Sequence, residues 1–264
     1  MTVLDDIIAG VRHDLDHRKT RTPLADVTRA AESAAPPIDP MPRFRAPELA
    51  VIAEVKRRSP SKGHLAPIAD PAALAASYAA GGAAAISVLT EERRFNGTLA
   101  DLDAVRAAVE VPVLRKDFMV DEYQFLEARA HGADLILLIV AALTDDELTR
   151  FGALTADLGM TALVETHTAD EVDRALALGF DLIGVNNRNL KTLEVDLGTF
   201  GPLSGRIGDG AVRVAESGIL TTDDVATVAA QGADVILVGE ALVKHGDPTR
   251  AIADFMSAAE REDA

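Results

Sequence analysis

Gly232-Ala233-Asp234-Val235-Ile236-Leu237-Val238 repeats, with few changes, a segment met earlier in the chain: Gly132-Ala133-Asp134-Leu135-Ile136-Leu137-Leu138. Two looser copies stand at Gly82-Ala83-Ala84-Ala85-Ile86-Ser87-Val88 and Gly179-Phe180-Asp181-Leu182-Ile183-Gly184-Val185. Each reads as a glycine that ends a helix, a short turn, and a strand with apolar residues on both faces, the pattern of a parallel sheet covered on both sides. The copies lie roughly fifty residues apart, room for two βα units of ordinary length. Between them run further strand-like segments: Val51–Lys56, Val111–Lys116, Thr161–Glu165 and Val212–Glu216. The count is eight strands. Helix starts follow at Asp70-Pro71 and at Thr144-x-x-Glu147, Thr168-x-x-Glu171 and Thr221-x-x-Asp224, where a threonine and an acidic residue can cap each other's backbone. Eight unbroken βα units predict an α/β fold, a single (β/α)8 TIM barrel. An open doubly wound sheet usually has fewer strands and a glycine-rich first turn, and no GxGxxG or Walker-type loop is present.

Residues 1–45 precede the barrel and read as an N-terminal helical extension packing on a barrel domain of residues 46–264. Leu4, Ile7, Ile8, Val11 and Leu15 fall on one helical face behind a Thr2-x-x-Asp5 start, and the proline-rich stretch Ala35–Pro42 leads into the first strand. An isolated helix of this length is marginal in water, so it is expected to dock, either on the outer helix ring or across the mouth.

The 264 residues are 48% hydrophobic, enough for a large core, and the formal charge of −16 argues against a nucleic-acid or anionic-membrane partner, which would require a basic face. The absence of cysteine excludes disulfides, thiolate metal sites and a cysteine nucleophile, and fits a cytoplasmic protein. The longest apolar run, Leu135–Leu143, is too short to span a bilayer, and the N-terminus carries charges where a signal peptide needs an apolar centre.

In barrels of this kind the C-terminal strand ends build the site. Here the odd-numbered strands end in Glu54 with Lys56, in Lys116, in Glu165 and in Glu216. A ring of salt bridges closing the mouth would explain one such residue, but five charges from four strands point to acid–base chemistry. Lysine could instead form a Schiff base. His167 reads as a solvated residue before the next helix, and His13 with His17 as a wet helix face. No histidine–carboxylate cluster suggests a metal. Glu216-Ser217-Gly218 after the seventh strand and Val238-Gly239-Glu240 after the eighth suit phosphate binding through backbone N–H groups.

Several segments resemble the indole-3-glycerol-phosphate synthase family over nearly the whole length. They are Ile52-Ala53-Glu54-Val55-Lys56-Arg57-Arg58-Ser59-Pro60-Ser61, Ser87–Glu91 with Phe95-Asn96-Gly97, Leu114-Arg115-Lys116-Asp117-Phe118, Leu163-Val164-Glu165, Gly184–Leu190, and Val214–Ile219. The resemblance implies a lyase of tryptophan biosynthesis. Its substrate would be the phosphorylated small molecule 1-(2-carboxyphenylamino)-1-deoxyribulose 5-phosphate, its products indole-3-glycerol phosphate, carbon dioxide and water, and it would need no cofactor or metal. It further implies Lys116 as general acid, Glu165 assisting proton transfer, Glu54 and Lys56 orienting substrate and aiding dehydration, and Glu216 completing the polar network. Asn186 and Arg188 would hold the anthranilate carboxylate. Ser59, Ser217, Gly218 and Gly239 would bind phosphate, with Leu237 and Glu240 also in the substrate-binding set. Pro60, Phe95, Phe118 and Leu137 would form the slot for the aromatic ring. Glu240 stands where a serine is often found, so its side chain is expected to turn away from phosphate. A related barrel isomerase would use a cysteine, which this chain lacks. A non-catalytic phosphate-binding barrel would not be expected to retain the full acid–base set. A monomer or weak homo-oligomer is expected.

Overall fold

The computed structural model describes residues 3–59, 63–65, 67–190, 192–244 and 246–259. Its centre is a closed barrel of eight parallel strands: β1 (Ala50–Val55), β2 (Ala85–Leu89), β3 (Val113–Lys116), β4 (Leu135–Ile139), β5 (Thr161–Thr166), β6 (Leu182–Asn186), β7 (Val212–Glu216) and β8 (Val235–Val238). Neighbours in sequence are neighbours in the barrel, and β8 closes onto β1 with Ala50 opposite Val235. Helices fill each crossover, as parallel pairing requires. The expected starts hold at Asp70, Thr144 and Thr221, each accepting from a backbone N–H three residues on. Thr168 caps as well, but Glu171 does not complete the reciprocal bond; its carboxylate turns to His167 instead. Thr2 lies outside the described residues.

Strand alternation separates two apolar layers. Val51, Ala53, Val55, Ile86 and Val88 face outward into the cluster under the helix ring. Ile52, Leu114, Leu163 and Val214 face inward and fill the barrel with Leu135, Leu137, Leu182, Val235 and Leu237. Phe44, from the short helix Met41–Phe44 ahead of β1, is fully buried in that inner cluster. The repeated aspartate is a strand lock: Asp134 accepts from the N–H of Val113 at 2.7 Å, and Asp234 from that of Arg213 at 2.8 Å. Each also pairs with an arginine, Arg106 or Arg213.

The chain ahead of the barrel holds two longer helices, α1 (Val3–Arg21) and α2 (Leu24–Ser33). Leu4, Ile7, Val11 and Leu15 of α1 are buried, whereas Ile8 is only partly covered. Ile7 and Val11 pack on Val120 and Phe118, beyond the end of β3. Ion pairs fix the helix at both ends of its path: Asp6 with Arg94, Asp14 with Arg93 at 2.6 Å, Arg18 with Glu127 at 3.0 Å and Lys19 with Asp121 at 2.7 Å. The sequence reading did not separate α2 from the rest of the extension. Its Val27 packs with Leu15 and Tyr123 on the outer helix Glu122–Ala130. The segment thus touches both the mouth and the outer wall, which the sequence reading had treated as alternatives.

Candidate functional site

On the odd strands the inward position two residues beyond the last apolar layer is ionisable: Ile52 is followed by Glu54, Leu114 by Lys116, Leu163 by Glu165 and Val214 by Glu216. Closure of the barrel points these four side chains at one another. Lys116 Nζ lies 3.0 Å from Glu216 Oε2, 3.7 Å from Glu54 Oε2 and 3.8 Å from Glu165 Oε2. Lys56, just past β1, bonds the other oxygen of Glu54. One ammonium therefore sits among three carboxylates that are all nearly inaccessible to water.

The charges fix one another. Burial alone would depress the Lys116 ammonium, but Glu216, Glu54 and Glu165 outweigh it and raise its pKa. Glu54 is pushed up by burial and pulled further down by Lys56 and Lys116. Glu165 likewise ends below the usual carboxylate range, because His167 and Lys116 overcome its burial. Glu216 goes the other way: burial raises it, and the like charges of Glu165 and Glu54 add to the rise against the pull of Lys116. It is the carboxyl group of the three displaced toward neutrality, the range where proton exchange is easiest.

His167 corrects the sequence reading. It is not a solvated loop residue. Its side chain is only 9% exposed, with Nε2 3.2 Å from Glu165 Oε1 and Nδ1 3.1 Å from Glu171 Oε2. The signal was present in the spacing: strand alternation places residues 165 and 167 on one side, and Glu171 is one helical turn on.

Gly184 was also missed. It occupies the inward position of β6 between Leu182 and Asn186, and an added Cβ would collide with Glu216 Oε1. The gap left by the glycine is the space that Glu216 needs to reach Lys116. Gly239 behaves similarly: a Cβ there would stand 2.8 Å from Glu54 Oε1, so the room read as space for phosphate is partly taken by Glu54.

Two connected hollows open from this cluster. The first is walled by Phe95, Phe118, Leu137 and Ile139, with Val3, Leu4 and Ile7 of α1 and with Ser59. The Phe95 and Phe118 rings lie 6.1 Å apart, tilted by 40°. The second is walled by Ser217, Gly218, Leu237, Gly239 and the Val195–Leu197 loop. Glu54, Lys56, Lys116, Arg188, Ser217 and Glu240 border both. Pro60, expected in the apolar slot, lies outside the described residues.

Arg188 enters from the β6 loop, where its N–H donates to Asn186 Oδ1 at 3.0 Å and its guanidinium to Leu193 O at 2.9 Å. Glu240 opens the helix Glu240–Lys244, and one of its oxygens accepts from Lys244 at 2.6 Å, while the residue still borders both hollows. Ser217 has φ +64°, a left-handed conformation uncommon outside glycine, at the turn between Glu216 and the second hollow. Behind the site, Arg115 points away from Lys116 and is fully buried; its guanidinium meets Asp117 at 3.0 Å and Glu127 at 2.9 Å. Glu127 is also the partner of Arg18, so α1 is tied to the strand carrying Lys116. Among the described residues no group of three or more His, Asp or Glu is placed to hold a metal ion, and no helix is long and apolar enough to cross a membrane.

Fold and site define a class: a (β/α)8 barrel whose C-terminal mouth carries a lysine–carboxylate centre suited to proton transfer. A sequence model of the family indole-3-glycerol phosphate synthase matches residues 4–255. The indole-3-glycerol phosphate synthase of Nocardioides sp. is 63% identical over 252 residues, covering 96% of this chain and 97% of the relative. That of Arthrobacter sp. is 60% identical, covering 98% and 97%. Among solved structures, 3-hexulose-6-phosphate synthase from Salmonella typhimurium superposes with a TM-score of 0.66 at 13% identity, covering 81% of this chain and 99% of that one, a likeness of fold alone. The chain belongs to the indole-3-glycerol phosphate synthase family.

Proposed function

We propose that this chain is a carboxy-lyase that converts 1-(2-carboxyphenylamino)-1-deoxyribulose 5-phosphate into indole-3-glycerol phosphate, carbon dioxide and water, in tryptophan biosynthesis. The observation that carries the reading is the pair of hollows with the charged cluster on their shared wall. The substrate has an aromatic ring at one end, a phosphate at the other and the reacting carbons between. An apolar chamber, a glycine- and serine-lined chamber and Lys116 at their junction match that order.

The chemistry follows from the placement. The ring carbon bearing the carboxylate attacks the ketone carbon, and negative charge grows on the ketone oxygen. Lys116, kept charged by its carboxylates, donates to that oxygen where the charge develops. An alkoxide is a stronger base than an amine, so even a tightly held ammonium proton can be delivered as the C–C bond forms. Arg188 and Asn186 hold the ring carboxylate until it departs as carbon dioxide; the planar fork of arginine suits a carboxylate. Loss of the resulting hydroxyl as water, with removal of the proton from the adjacent carbon, completes the indole. Glu165 assists the proton transfers, and Glu54 with Lys56 serves the dehydration. Ser217, Gly218 and Gly239 bind the phosphate, with Leu237 and Glu240 beside it and Ser59 reaching it from the wall of the apolar chamber.

On this reading residues 1–45 serve the barrel of residues 46–264 as part of the substrate site, since α1 walls the apolar chamber. We place the protein in the cytoplasm as a monomer or weak homo-oligomer; a cysteine-free composition fits that compartment. The test is to incubate purified protein with the substrate and follow indole fluorescence and carbon dioxide together. Equimolar release of both is expected. Neither appearing would refute the activity.

A further inference from the structure

His167 is held more firmly than a residue at the start of a helix needs to be. Glu171, at the third position of the helix Ala169–Ala177, accepts from the His167 backbone N–H at 2.7 Å and stands 3.1 Å from its Nδ1. The ring is thereby aimed with Nε2 at Glu165 Oε1, 3.2 Å away, while the second oxygen of Glu165 faces Lys116. Both ring nitrogens thus lie close to carboxylate oxygens, Nδ1 in a hydrogen bond to Glu171 and Nε2 in a charge contact with Glu165 that is off the line of a hydrogen bond. A neutral imidazole has one N–H, so it would set a lone pair against one of these carboxylates; the doubly protonated ring turns a positive edge to both.

We infer that His167 is a positioning residue of the site, an imidazolium clamped by Glu171 that orients Glu165 and keeps it ionised. It does not touch the hollows where substrate would lie and acts through Glu165. The groups around Glu165 show why a second cation matters. From β3 comes Lys116, from β1 Glu54 with its partner Lys56, from β6 Asn186, from β7 Glu216, and from the following loop and helix His167 and Glu171. Lys116 is shared among three carboxylates. Without His167, Glu165 would be a buried carboxylate facing two others, with a shared ammonium and the Asn186 amide as its remaining support. In keeping with the geometry, Glu165 and Glu171 outweigh the burial of His167 and raise its pKa to about 10.

The sign of the effect is fixed. A cation beside Glu165 lowers its pKa, so its removal raises that pKa, by roughly 1–3 units for an opposite charge at this range. His167→Gln keeps a hydrogen-bond donor and loses the charge. The Glu165 carboxyl, followed by ¹³C NMR, should titrate at higher pH by about one unit or more in His167→Gln, and by less in Glu171→Gln, while kcat falls with KM nearly unchanged.

The kinetic arm rests on the proposed activity. A second arm does not: ¹⁵N NMR of the His167 ring in the wild-type protein, titrated from pH 6 to 9, with Glu165→Gln alongside. Two protonated nitrogens up to at least pH 8 in wild type, and titration at lower pH in Glu165→Gln, are expected. A neutral ring at pH 7 in the wild type overturns the inference whatever the activity. So does a Glu165 carboxyl that titrates in His167→Gln at the same pH as in wild type. If His167→Gln does not fold, the NMR titration decides. Absence of turnover by a wild type whose His167 is doubly protonated would count against the proposed reaction and leave the clamp standing.

Discussion

Replacing Gly184 with alanine adds one methyl group at the point where the barrel is most crowded. The new Cβ would stand 3.3 Å from Leu163 Cδ1 and from Glu216 Cδ and would overlap Glu216 Oε1. The strand cannot retreat, because Gly184 is paired with Glu165 on β5 and with Val214 on β7. Glu216 must move instead, and its other oxygen is the one 3.0 Å from Lys116. A carboxylate displaced by ~1 Å drags or releases the ammonium, and misplacement on that scale lowers turnover by about 10²-fold, or about 2.7 kcal/mol of barrier. Overpacking a core by one methyl destabilises by about 1–3 kcal/mol, so Tm should fall by roughly 2–12 °C while the barrel survives. Indole fluorescence reads kcat, and thermal melting by circular dichroism reads the fold. A Gly184→Ala protein whose kcat stays within about threefold of wild type would show that the Glu216–Lys116 contact is not needed, against the loss expected for such a shift.

Ser217→Ala removes a hydroxyl from the second hollow without altering the backbone, and should raise KM for substrate several-fold with kcat nearly unchanged. Ser217→Gly relieves a left-handed serine worth about 1 kcal/mol and should raise Tm by roughly 2–4 °C; a lower Tm would contradict the strain reading. Leu4→Ala with Ile7→Ala should raise KM through the apolar chamber they wall, whereas Val27→Ala should lower Tm and leave KM alone. Equal effects on KM from both would remove α1 from the substrate site. Arg188→Lys keeps charge and loses the planar fork, so carboxylated substrate analogues should bind more weakly and analogues without that carboxylate should not; equal losses for the two would assign Arg188 elsewhere.

The eight strands were legible because a parallel barrel imposes one local requirement many times, and the glycine, aspartate and apolar run that meet it recur. The charged ends of β1, β3, β5 and β7 were legible for the same reason: carboxylates and lysines stand out where the inward face should be apolar. Shape complementarity was not. Gly184 sits inside an apolar strand, a weak sign of close approach, but what approaches it comes from another strand. His167 was misread because burial by Glu165 and Glu171 depends on how the loop folds back on the helix start. α2 escaped because its apolar face is short, with only Val27 and Ala31 buried, and the surface it packs on, the helix after β3, comes from a distant part of the chain. Arg115 was seen only as part of a run shared with the family; that it is buried and wired through Glu127 to Arg18 required the fold.

The account centres on Lys116 as the acid of ring closure, and its direct test separates chemistry from binding. Wild type and Lys116→Ala would be mixed in excess over substrate, with product fluorescence followed in a single turnover and substrate affinity measured separately by calorimetry on a non-reacting analogue. A positioned acid contributes roughly 10²–10⁴-fold, so the single-turnover rate should fall by that factor while analogue affinity changes little. A Lys116→Ala protein that keeps more than about a tenth of the wild-type rate would contradict that role.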